Sequence, residues 1–129
     1  AVGDRERTLL VGVDSQAELF IEKWNQYGFT ASDLVGVVDP GDATGPSLFA
    51  GRPVVGNQSQ LGELLASFRI DTLIFVPGTL SLALDHGQER WGREKLRVCM
   101  VPVGFAEMHE DEYEASGSMP LVEITSSDS

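Results

Sequence analysis

The sequence predicts an α/β domain in which a parallel sheet carries helices on both faces. Three observations point there. Short apolar runs recur along the chain and are continuous rather than alternating, as strands covered on both sides require. Between them lie segments whose apolar residues fall at offsets of 3, 4 and 7, the spacing of one helix face. The first apolar run also passes through a glycine turn directly into such a helix, which is how a β-α-β unit begins.

Taken in order, Thr8–Val13 is the first strand. Ser15 is positioned to cap a helix that runs to about Tyr27, with Ala17, Phe20, Ile21 and Trp24 on one stripe and Gly28 as its C-cap. Leu34–Val38 is a second strand, ending on Asp39-Pro40. Gly41–Arg52 holds three glycines and a proline and reads as a loop, followed by a short strand at Pro53-Val-Val55. Ser59 precedes a second helix with Leu61, Leu64, Leu65 and Phe68 on one face. Asp71 leads into the strand Thr72–Val76, closed by Pro77-Gly78. Leu80–Lys95 reads as a helix weakened by Gly87 and Gly92, and Leu96–Val101 as a strand ended by Pro102. Met119–Ile124 has one more strand-like pattern, and Thr125–Ser129 reads as a polar tail or linker. The expected organisation is one domain over residues 1–124.

The Gly12 turn is where chemistry would first be sought. Gly12-Val-Asp14-Ser-Gln-Ala17 occupies the place of the fingerprint G-x-G-x-x-G/A of dinucleotide-binding units. The first glycine and the permitted final alanine are present. Asp14 stands at the middle position, where a bare backbone should approach a pyrophosphate. Its carboxylate can instead occupy the helix N–H groups as an internal cap, and no lysine or arginine follows closely to offset it. The turn therefore reads as a weak or absent pyrophosphate site.

Ligands of such sheets bind beyond the carboxyl ends of the strands. The candidate cleft residues are Gly12, Asp14, Ser15, Asp39 and Pro77. Asp39 is placed either to hold a ribose hydroxyl or simply to form the Asp-Pro-Gly turn. NAD(P), CoA and a nucleotide sugar all remain candidate ligands. A CoA site would need basic residues for its phosphate, with Arg52 and Arg69 the mid-chain candidates.

Nothing in the chain makes a catalytic set. His86 and His109 have no partner at metal-ligand spacing. Five acids within Glu107–Glu114 lack the spacing of a calcium loop and read as a solvated face. Neither Tyr27 nor Tyr113 is followed by a lysine one helical turn later, as a nucleotide-sugar dehydratase or epimerase would want. No catalytic or metal-binding residue is assigned. Cys99, the single cysteine, sits in the apolar run Val98–Val101 as a buried thiol, which suits a reducing compartment.

Composition bounds the partners. The 129 residues are 42% hydrophobic with a mean hydropathy near zero, as in folded globular domains. Nine Lys and Arg against 20 Asp and Glu give a net charge of −11, which opposes nucleic-acid binding. No apolar run reaches the length of a membrane helix. Because the first residue is Ala1, the chain is expected to be part of a longer protein.

The succession Thr8–Val13, Val35-Gly-Val-Val-Asp39, Gly51-Arg-Pro-Val-Val-Gly56, Ile70-Asp-Thr-Leu-Ile-Phe-Val-Pro77 and Val98–Pro102 resembles one family across nearly the whole chain. It is similar to the soluble Rossmann-like (CoA- or NAD-binding-like) domain of bacterial polyprenyl-phosphate glycosylphosphotransferases. Those enzymes initiate exopolysaccharide or O-antigen synthesis. The closing Met119-Pro-Leu-Val-Glu-Ile124 resembles the segment that leads toward their membrane-associated catalytic domain. The resemblance implies a regulatory or interaction domain at the cytoplasmic face of the inner membrane, within a membrane-embedded parent. Such a domain is expected to sense a nucleotide or nucleotide sugar at the cleft, or to mediate homodimerisation through an apolar sheet edge or helix. The family's catalytic residues lie in the downstream domain, so none carries over. The alternatives are an NAD(P)-binding domain of a dehydratase- or epimerase-type enzyme, and a CoA-binding module.

Overall fold

The computed structural model describes residues 6–27, 32–41, 47–79, 97–102 and 122–123. The elements are β1 (Glu6–Val11), α1 (Ser15–Tyr27), β2 (Ser32–Asp39), β3 (Ser47–Phe49), β4 (Arg52–Asn57), α2 (Leu61–Ser67), β5 (Thr72–Phe75), β6 (Arg97–Met100) and β7 (Val122–Glu123). Single 3₁₀ turns at Gln58–Gln60 and Pro77–Thr79 precede α2 and follow β5. The strands form one sheet in the order β3-β4-β2-β1-β5-β6-β7. All pairings among β4, β2, β1, β5 and β6 are parallel, and the edge strands β3 and β7 are antiparallel. From β1 the chain builds outward to β2 and β4, then returns to the other side of β1 with β5 and β6. The order reverses between β1 and β5, and this is the topological switch point of a Rossmann-like α/β fold.

The continuous apolar runs are explained by two separate cores. On one face Leu10, Val37, Ile74, Cys99 and Val101 pack against Ala17, Phe20, Ile21 and Trp24 of α1. On the other, Leu9, Val11, Val38, Leu73, Phe75 and Val98 pack against Leu61, Leu64 and Leu65 of α2. Alternate residues of each central strand thus meet different helices, and neither set can be polar. Leu34 and Val37 share the α1 face although three residues apart. A register shift in β2 opposite Thr8 and Leu9 inserts Val35 and restores the phase. Fully burying a side chain such as Phe20 or Leu65 stabilises by roughly 1.5–3 kcal/mol.

Two expectations are corrected. Gly41–Arg52 is not all loop, because Ser47–Phe49 forms β3 and Arg52 opens β4, which reaches Asn57. The hairpin turns on Ala50 and Gly51 alone, with φ of 53° and 82°. A two-residue loop with both φ positive twists as a β-hairpin requires, and here alanine occupies a site that favours asparagine or glycine. The second helix is also shorter than its pattern suggested. Asn57 caps the 3₁₀ turn ahead of it by accepting from Ser59 N at 3.0 Å while Gln60 Oε1 accepts from Asn57 N at 3.0 Å. At the far end Arg69 has φ of 53°, with Arg69 N donating to Ala66 O and Ile70 N to Leu65 O. That is a Schellman closure with arginine in place of glycine.

The expected helix Leu80–Lys95, the C-cap Gly28, the acids of Glu107–Glu114, both histidines and the tail lie outside the described residues. Cys99 is buried, as expected. Among the described residues no helix is long and apolar enough to cross a membrane.

Candidate functional site

The carboxyl ends of β1 and β5 meet in a turn held together largely by backbone. Gly12 N donates to Val38 O at 3.0 Å, and Val76 N donates to Val11 O at 3.3 Å. Gly12 has φ of 143°, and a Cβ there would lie 2.6 Å from Val76 Cγ2. The glycine is required twice over, by its dihedral and by the close approach of the strand that follows the switch point. After Val76 the chain turns back at once. Thr79 N and Thr79 Oγ1 both donate to Val76 O, at 2.9 and 2.8 Å, which fixes the Pro77–Thr79 turn.

Asp14 stands between these two turns. Its Oδ1 accepts from Ala17 N at 3.0 Å, and its carbonyl accepts from Glu18 N at 3.0 Å. Asp14 is therefore the N-cap of α1, while Ser15, expected as the cap, is the exposed first helical residue. The other carboxylate oxygen faces the β5 turn, since a Cβ on Gly78 would lie 3.0 Å from Asp14 Oδ2. Asp39, at the end of β2, accepts from Gly41 N through Oδ1 at 2.6 Å. Of the two readings left open for it, the turn-forming one is realised in this bond. The fold thus brings Gly12, Asp14, Ser15, Asp39 and Pro77 to one edge of the sheet, as the sequence implied.

A dinucleotide's pyrophosphate at the amino end of α1 would compete with the Asp14 cap. The N–H that would face it is taken by Asp14, and the ligand would meet that carboxylate at contact distance. Two unit charges 4 Å apart repel by about 1 kcal/mol in bulk water and about 4 kcal/mol near a protein surface. The wider charge pattern acts in the same direction. Asp14, Asp39 and Glu18, in the first turn of α1, all lie at the carboxyl edge. Among the described residues, Arg7, Arg52, Arg69 and Arg97 lie at the opposite, amino edge, and Lys23 lies in the half of α1 that returns toward it.

Three of those arginines, Arg7, Arg52 and Arg97, are cross-ties. Arg7 Nε donates to Phe68 O at 2.5 Å, and Arg7 N to Asp71 Oδ2 at 3.0 Å. Arg52 Nη1 donates to Leu34 O at 3.0 Å and Nη2 to Asn25 Oδ1 at 2.6 Å, joining β4, β2 and α1. Arg97 pairs with Glu6 at 3.4 Å. Arg52 and Arg69, the residues considered for a CoA phosphate, therefore sit at the edge of the sheet remote from the cleft.

Three participants were not singled out from the sequence. Val76 presses on Gly12, Gly78 admits the Asp14 carboxylate, and Thr79 fixes the β5 turn. The dipeptide Pro77-Gly78 signals a turn, but nothing local says that Asp14 is its neighbour. Among the described residues no group of three or more His, Cys, Asp or Glu side chains is placed to hold a metal ion.

Fold and site together define a Rossmann-like α/β domain whose strand-to-helix turn has the fingerprint glycine at Gly12 and a carboxylate at Asp14. Comparison with solved structures agrees with the fold. The chain is similar to UDP-D-quinovosamine 4-dehydrogenase from Vibrio fischeri, with a TM-score of 0.63, 14% identity, and 95% of each chain covered. A Rex-family repressor aligns with a TM-score of 0.49 and 11% identity, over 88% of this chain and 60% of the repressor's. No protein-family model matches the chain, and no curated protein matches it in sequence.

Proposed function

We propose that this chain is a regulatory or interaction domain that senses a nucleotide sugar at its carboxyl edge, within a sugar-1-phosphate transferase of polysaccharide biosynthesis. The observation that carries the reading is the Gly12–Ala17 turn. Gly12 still meets the demand of the switch point, while Asp14 has replaced the bare backbone that a dinucleotide needs. A hydroxyl-rich sugar suits the carboxylate acceptors Asp14 and Asp39, with the diphosphate of a nucleotide sugar then lying away from the α1 cap. The similarity in fold to an enzyme named for a UDP-sugar supports a ligand of this class. The order of strand motifs resembling the polyprenyl-phosphate transferases supports the parent, a membrane-embedded enzyme with this domain on the cytoplasmic side.

A second reading is an NAD(P)-binding domain acting with a nucleotide-sugar enzyme. It is favoured by that same neighbour being named a dehydrogenase, and it requires the pyrophosphate to bind away from the Asp14 cap. A thermal-shift series separates the two. Ligands that bind only the native state raise the melting temperature, by about 2.7 kcal/mol of stabilisation at a hundredfold excess over Kd. UDP-sugars are expected to shift the transition, and NAD, NADP and CoA to leave it in place. A shift with NAD or NADP that is lost on enlarging Gly12 would replace the first reading with the second.

A further inference from the structure

We draw no further inference here: the strongest candidate, the side-chain pair of Thr8 and Thr72, buried and in register on β1 and β5 with hydroxyls that have no hydrogen-bond partner among the described residues, carries nothing because nothing in the structure shows what the two would bind.

Discussion

The two ends of the sheet are built on different principles. At the carboxyl edge, strands end in tight backbone turns, and the polar side chains close on their own segment: Asp14 on Ala17, Asp39 on Gly41, Thr79 on Val76. At the amino edge, polar side chains reach between elements, with Arg7 on the turn after α2, Arg52 across β2 and α1, and Arg97 on β1. Side chains at the carboxyl edge thus close locally while its strands are joined by backbone, whereas long-range side-chain ties make the opposite end a brace. Arg7, Arg52 and Arg97 are held in these ties at the amino edge, while Asp14, Glu18 and Asp39 leave the carboxyl edge negative.

The largest effect is expected at the carboxyl edge. Gly12→Val combines a strained φ with a Cβ driven into Val76, and should destabilise by about 3–5 kcal/mol in urea unfolding. A loss below 1 kcal/mol would show that the turn is not the tight junction described. Arg52→Ala removes two charge-assisted bonds at the brace and should cost roughly 2–3 kcal/mol. Arg52→Lys should recover only part of this, because an ammonium lacks the guanidinium fork. If Arg52→Ala proves neutral, the contrast between the two edges fails.

Smaller effects sharpen the comparison. Asp14→Ala should cost about 1 kcal/mol through loss of the α1 cap. Asp14→Gly should cost about as much or less and also open the helix terminus to anions, so calorimetry with NAD should show binding absent from the wild type. Unchanged NAD affinity in that variant would remove Asp14 as the block. Arg69→Gly relieves a left-handed residue at the Schellman closure and should stabilise by about 0.5–1 kcal/mol, seen as a raised thermal midpoint. Thr72→Val replaces a buried hydroxyl that has no hydrogen-bond partner among the described residues, and a gain of about 1 kcal/mol is expected.

Residues with periodic neighbours were legible in advance. The stripe of Ala17, Phe20, Ile21 and Trp24 and that of Leu61, Leu64 and Leu65 are buried where their spacing put them. The central strands were legible because only burial on both faces explains runs such as Thr72–Val76. Errors fell where a local signal had two solutions. Three glycines and a proline in Gly41–Arg52 suggested loop, yet Ala50-Gly51 is a hairpin turn. The outcome depended on β4 being held beside β2, a contact that composition does not encode. Ser15 and Asp14 were both competent caps. The choice between them was made by where β1 stops, since Gly12 must pass under Val76 and that fixes which residue begins the helix.

The sequence by itself determined the class of fold, the two-faced core and the set of residues at the carboxyl edge, because hydrophobic periodicity and strand order are written along the chain. Only the tertiary structure decided what those residues do to one another. That Asp14 lies against Gly78 and that Arg52 ties strands across the opposite edge are contacts across the sheet, and the exposure of Leu48 follows from the place of β3 in the strand order. They depend on distances between segments remote in sequence, and no local pattern carries that information.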